Sequence, residues 1–217
     1  MNKKVFIFDL DGVIVDTAKY HYLAWKNLAN ELGFDFTENQ NEQLKGVSRV
    51  RSLDILLNIG KIDLSDDKKQ ILLNEKNKEY LEYVNQMTAD EILPGIKQLL
   101  DFLDNHNIKY ALGSASKNAP LILKKVGLFE RFSAIVDGNN VSKAKPNPEV
   151  FLIAAKKLKK EPVDCIVIED ALAGVQAANI ANMTSIGIGN KNILNDADFV
   201  LNSTNELTID FVEKLIV

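Results

Sequence analysis

The sequence predicts an α/β protein: a Rossmann-like, doubly wound parallel sheet core with an inserted helical-bundle cap. Three observations lead there. Val5-Phe6-Ile7-Phe8 is four consecutive apolar residues, the pattern of a strand buried on both faces in the middle of a parallel sheet. From residue 88 onward, short apolar runs alternate with helix-period segments, as they do where strands are joined by helical crossovers. Between residues 37 and 87 the period is helical throughout, without a strand candidate. The expected division is an α/β core of residues 1–15 and 88–217 and a helical cap of residues 16–87.

The first strand delivers Asp9 and Asp11 to its C-terminal end. Side chains alternate along extended backbone, so the two acids project towards one side while Leu10 turns away, and Gly12 permits a sharp turn after them. Ligands of open parallel sheets bind beyond the carboxyl ends of the strands. Taken alone, the pair also fits a turn carrying two solvated aspartates.

In the cap, Thr17 is the expected N-cap of a helix running to Gly33, with Ala18, Tyr22, Trp25, Ala29 and Leu32 on its apolar face. His21 lies beside that stripe, where a lone histidine is more often a packing or surface residue than a catalytic one. The loop Leu44-Lys45-Gly46-Val47 leads to Ser48, the expected N-cap of a helix carrying Val50, Leu53, Leu56 and Leu57. Arg49 and Arg51 sit at its start, and Arg51 reads as a solvated charge. A further helix from about Asp66 is expected to turn Ile71, Leu72, Tyr80, Tyr83 and Val84 inward.

In the core, Pro94 stands near the start of a helix with Ile96, Leu99, Leu100 and Leu103 inward. Strands follow at 108–113, 134–136, 165–168 and 184–188, and helices at 118–126, 148–158, 171–180 and 207–216.

Composition narrows the function class. The 217 residues suffice for one large domain or one domain with an insert, and 46% hydrophobic with 26% charged residues is globular usage. A net charge of −4 supplies no basic field for nucleic acid or an anionic membrane. Without a signal-like N-terminus or an apolar run of about 18 residues, a cytoplasmic protein is expected. The single cysteine, Cys165, reads as a buried strand residue.

Three further loops beside strand ends complement the two acids: Ser114-Ala115-Ser116-Lys117-Asn118, Lys145-Pro146 and Glu169-Asp170. Four carboxylates crowded together need a cation, and an all-oxygen set suits Mg²⁺, which favours phosphate as a co-ligand. Ser114, Lys145 and main-chain N–H groups at a helix start suit a phosphoryl group. Phosphoryl transfer needs little beyond positioning and electrostatic stabilisation.

In order and at strand ends, Asp9-Leu10-Asp11-Gly12, Ser114, Lys145-Pro146 and Glu169-Asp170 resemble the signature motifs of the haloacid-dehalogenase-like phosphotransferase superfamily. The cap, through Thr17, His21, Gly46-Val47-Ser48-Arg49 and Lys76-Asn77, together with Ser116-Lys117-Asn118, resembles the sugar phosphomutases of that superfamily. Gly113 before Ser114 and Asn147 after Pro146 depart from the pattern. The resemblance implies interconversion of β-glucose 1-phosphate and glucose 6-phosphate, with β-glucose 1,6-bisphosphate as phosphoryl primer, by a monomeric enzyme acting on small-molecule sugar phosphates. The alternative on the same fold is a Mg²⁺-dependent sugar-phosphate phosphatase.

The resemblance also implies roles. Asp9 is the nucleophile and Asp11 the general acid and base, with Thr17, His21 and Lys76 coupling closure to the placement of Asp11. Ser114, the Ala115 main chain and Lys145 grip the transferring phosphoryl group. Arg49, with Ser116, Lys117 and Asn118, binds the distal phosphate, while Gly46, Val47, Ser48 and Ser52 line the sugar. Mg²⁺ is held by Asp9, the main-chain carbonyl of Asp11, Glu169 and Asp170.

Overall fold

The computed structural model describes residues 4–44 and 46–216. Lys45, expected in the loop before the second long cap helix, lies outside the described residues. Strands β1 (Val5–Phe8), β2 (Tyr110–Gly113), β3 (Ala134–Val136), β4 (Cys165–Glu169), β5 (Thr184–Ile188) and β6 (Phe199–Leu201) form a parallel sheet in the order β3-β2-β1-β4-β5-β6. This is the doubly wound order, which reverses direction beside β1, so the crevice for a ligand opens where Asp9 leaves the sheet.

Alternation along β1 builds two cores at once. Phe6 and Phe8 enter the cluster with Tyr110, Leu112, Ile166 and Ile168, whereas Val5 and Ile7 join Ala111, Val167 and Phe151 on the other face. Both faces are covered, so all four strand residues are apolar.

The cap comprises α1 (Ala18–Glu31), α2 (Glu38–Asn41), α3 (Arg49–Gly60) and α4 (Asp66–Asn85), packed around Trp25, Leu28, Phe36, Leu53, Leu56 and Leu73. Two chain segments join it to the core. They are tied by Asp16 N donating to Glu91 O at 3.1 Å and Leu93 N donating to Ile14 O at 3.0 Å. The core helices are α5 (Ile96–Asn105), α6 (Ala119–Lys125), α7 (Glu149–Leu158), α8 (Leu172–Ile180) and α9 (Ile209–Ile216). Among the described residues, no helix is long and apolar enough to cross a membrane.

The structure departs from the sequence reading in three places. Strand β6 was not expected: three residues on the sheet edge, none of them buried, carry too little periodicity to stand out. Ile71 and Val50, expected inward, are 55% and 58% exposed. The buried stripe of α4 is instead Leu73, Lys76, Tyr80 and Val84, in which a lysine occupies a helical-period position that hydrophobicity alone passes over. Lastly, Thr17 stands at the N-cap position of α1 but makes no cap hydrogen bond, because its hydroxyl is used elsewhere. Arg51 is exposed and Cys165 is buried in β4, as read from the sequence.

Candidate active site

The turn after β1 brings the acids together. Gly12 has φ +77°, and a β-carbon there would fall 2.2 Å from Asp170 Oδ2, so only glycine lets the β4 loop close over the β1 loop. As a result Asp9, Glu169 and Asp170 each place a carboxylate oxygen within 4.8 Å of the others. Three anionic oxygen donors at this separation fit a hard divalent cation such as Mg²⁺. The Asp11 side chain is not part of this cluster.

Lys145 reaches the same acids from the loop before α7. Its Nζ donates to Asp9 Oδ1 at 2.6 Å and to Glu169 Oε1, with both carboxylates and the ammonium buried. Burial pushes Glu169 up to about 7 while Lys145 pulls it back, and the two carboxylates hold Lys145 charged above its ordinary range despite desolvation. The loop is itself braced. Glu149 accepts from Ser142 N at 2.9 Å and from Lys143 N at 2.7 Å, and Asn147 Oδ1 accepts from Glu149 N at 3.1 Å, so this departure from the family pattern satisfies the first N–H of α7. The Lys145–Pro146 peptide is cis.

Asp11 faces the cap. The Thr17 hydroxyl donates to Asp11 Oδ1, and Asp11 N donates to Asp9 Oδ2 at 3.1 Å. Burial first, then the Asp9 charge, lifts the Asp11 carboxyl to about 7, with Lys145 and Lys76 opposing. Such a group exchanges a proton near neutrality, as general acid–base work requires.

Behind Thr17, Lys76 Nζ lies 2.9 Å from His21 Nδ1 and over the rings of Trp25 at 4.5 Å and Tyr80 at 4.9 Å. Burial, then the Arg49 cation, lowers Lys76 to about 7. Burial, then Lys76 and Arg49, hold His21 well below its ordinary value, so the imidazole that shares a hydrogen bond with Lys76 is neutral.

These groups open on one cavity of about 390 Å³ between core and cap. Asp9, Asp11, Ser114, Ala115, Lys145 and Asp170 line its core side, and Ser116 and Lys117 extend that wall. From the cap come His21, Gly46, Val47, Ser48, Arg49, Ser52 and Lys76. Arg49 is the first residue of α3, whose N-cap Ser48 accepts from Arg51 N at 3.3 Å. Among the described residues no carboxylate pairs with Arg49, so the half-buried guanidinium is available to an anion.

Three of the residues singled out in the sequence do not line the cavity. Thr17 sits behind Asp11 and Glu169 behind Lys145, while Asn118 Nδ2 donates to Asn77 Oδ1 at 3.0 Å, tying core to cap. Conversely, Asn41, Gln70 and Asn74 line the cap side and were not foreseen, since lone amides on helices carry no motif. Trp25, read as cap core, also reaches the cavity wall.

A family model described as haloacid dehalogenase-like hydrolase matches residues 3–182. A β-phosphoglucomutase of Bacillus subtilis is 43% identical over 213 residues, spanning 97% of this chain and 94% of the relative. A phosphorylated carbohydrates phosphatase of Thermotoga maritima is 30% identical over 198 residues, spanning 90% of this chain and 88% of the relative. Among solved structures, a β-phosphoglucomutase from Clostridium difficile superposes with a TM-score of 0.93 at 45% identity, covering 98% of this chain and 96% of that one.

Proposed function

The chain belongs to the haloacid dehalogenase-like hydrolase family, and on that premise we propose that it is a β-phosphoglucomutase interconverting β-glucose 1-phosphate and glucose 6-phosphate. The observation that carries this reading is a single cavity lined by Asp9, Ser114 and Lys145 on its core side and by the Arg49 guanidinium on its cap side, so that groups able to bind phosphate stand on both walls. A mutase must hold a sugar bisphosphate in either orientation, so it needs a second anion site remote from the nucleophile.

In this reading Asp9 attacks phosphorus and becomes an aspartyl phosphate, and Asp11 gives its proton to the departing sugar oxygen. Asp9, Glu169, Asp170 and the main-chain carbonyl of Asp11 would hold Mg²⁺, which supplies positive charge against the phosphoryl oxygens. Ser114, the Ala115 main chain and Lys145 grip the group in transfer. Arg49, with Ser116, Lys117 and Asn118, binds the other phosphate, and Gly46, Val47, Ser48 and Ser52 face the sugar. Thr17, His21 and Lys76 place Asp11. β-Glucose 1,6-bisphosphate primes the enzyme and is the intermediate that turns round. The cap, residues 16–87, closes over the core, residues 1–15 and 88–217, and keeps water from the aspartyl phosphate.

The test supplies β-glucose 1-phosphate, Mg²⁺ and a trace of the bisphosphate, and follows glucose 6-phosphate and free phosphate together. Glucose 6-phosphate forming without free phosphate supports the mutase. Free phosphate released at the rate substrate disappears identifies a sugar-phosphate phosphatase instead. In Arg49→Lys and Arg49→Ala, isomerisation should fall far more than phosphoenzyme formation from acetyl phosphate, which has no distal phosphate.

A further inference from the structure

Asn41 ends α2 with 8% of its surface exposed, and it lines the cavity. Its side-chain amide can donate two hydrogen bonds and accept two. Among the described residues it makes none, with side chain or main chain. Nor is the amide sealed in as the Tyr80 hydroxyl is, so the surface it keeps is turned to the cavity it lines. A leucine would fill the place without unmet polar atoms, as Phe36 and Leu44 of the same segment do in the apolar cluster of the cap. The amide therefore needs an account of its own.

The other two amides of the cap wall differ from it. Gln70 and Asn74 are exposed on α4, and Gln70 Nε2 donates to Asn74 Oδ1 at 3.3 Å, so solvent and each other serve them. Asn41 is buried and its backbone is braced. Gln40 N donates to Thr37 Oγ1 at 3.3 Å and Thr37 N to Gln40 Oε1 at 2.8 Å, a reciprocal capping box, and Asn41 N donates to Thr37 O at 3.1 Å. An unpaired amide held in this way is preorganised for a partner that both donates and accepts.

A sugar hydroxyl is such a partner. In the reaction proposed above, charged groups take the two phosphates, Lys145 on one wall and Arg49 on the other, and what remains for the uncharged wall is the ring with its hydroxyls. We infer that Asn41 is a specificity-determining residue of the cap, its amide taking one ring hydroxyl of the sugar, at C2, C3 or C4. A site built to bond a hydroxyl rejects the analogue that lacks it, because its own polar group then stays buried and unpaired. This inference rests on the reading of the cavity as a sugar-phosphate site.

The experiment crosses Asn41→Ala and Asn41→Leu with β-glucose 1-phosphate and its 2-, 3- and 4-deoxy analogues, following sugar phosphate consumed. On β-glucose 1-phosphate both variants should lose about 5- to 100-fold in kcat/KM, the effect of leaving one buried partner unpaired. On one analogue, the one lacking the hydroxyl that Asn41 takes, wild type and variants should agree within about twofold, while the other two analogues keep the loss. Acetyl phosphate, which carries no sugar, should phosphorylate both variants at nearly the wild-type rate. The inference is overturned by wild-type kcat/KM in the variants, by the same loss on all four sugar phosphates, by a parallel loss with acetyl phosphate, or by a loss confined to Asn41→Leu, which would be crowding alone. Glucose 6-phosphate and free phosphate from wild type are read in the same assay. If free phosphate is the product, the mutase reading fails by itself, and the pattern across the analogues still decides the role of Asn41.

Discussion

Gly46 of the cap and Ala171 of the core meet so closely that a β-carbon on Gly46 would stand 2.7 Å from the Ala171 β-carbon. Gly46 also has φ +71°, a left-handed conformation that side chains resist. The loop before α3, which brings Arg49 to the cavity, thus rests on the loop after β4, which carries Asp170 and follows directly on Glu169.

Gly46→Ala should therefore hold the cap off the core. Left-handed strain of roughly 1–2 kcal/mol, with the contact added, lowers kcat/KM on β-glucose 1-phosphate by at least about 5- to 30-fold. Acetyl phosphate, which needs no contact with the cap, should phosphorylate the variant at nearly the wild-type rate. Equal losses on both donors would place the fault in the core.

Asp9 and Asp11 are separated by their partners, Lys145 for one and Thr17 for the other, so their amide variants should fail differently. Asp9→Asn should accept no phosphoryl group from any donor, read by intact-protein mass. Asp11→Asn should still be phosphorylated by acetyl phosphate yet lose about 10²–10⁴-fold in sugar-phosphate turnover. A phosphorylated Asp9→Asn protein would remove Asp9 from the nucleophile's place.

Lys145 is the buried cation between Asp9 and Glu169. Lys145→Met leaves two buried carboxylates uncompensated and should destabilise by about 3–5 kcal/mol. A cation held by the same acids offsets part of that loss. The melting-temperature gap from wild type should narrow with added Mg²⁺ and widen with a chelator, and a gap indifferent to Mg²⁺ would count against the acidic cluster as its site.

Lys76 makes stability depend on pH in a defined window. Its pKa in the folded protein is about 7, below the ordinary 10.5, so between those values the unfolded chain holds a proton that the folded protein does not. Stability therefore rises with pH across that window, and below it the full cost of the buried charge is present. Lys76→Met should flatten the rise, seen in denaturant melts at about pH 7.5 and 9.5. His21, lowered below 6.5, acts in the same direction but in its own window, at lower pH. A rise unchanged in Lys76→Met would mean that the ammonium stays charged.

What the sequence determined by itself was local. Val5–Phe8 had to be a two-faced strand because four adjacent apolar side chains alternate into two cores, and that strand ends on Asp9 wherever the chain goes next. The helical period of residues 37–87 likewise required a helical unit, and Ser48 marked the start of α3 from its own hydroxyl. Tertiary structure alone decided which polar partner each side chain meets. Thr17 gave up a helix cap that its sequence position offered and bonded Asp11, and Asn118 crossed to Asn77 on the cap. Lys76 stood out in the sequence only through the family resemblance, since a lysine adds nothing to the apolar period of α4. It is buried because an imidazole from α1 and the faces of Trp25 and Tyr80 receive its amino group, partners brought together by helix packing. Hydrophobic periodicity records which face of an element leaves water, because that effect is non-directional and summed along the segment. Hydrogen bonds and charges are directional and pairwise, so their outcome exists only once the partners have been brought within a few ångströms.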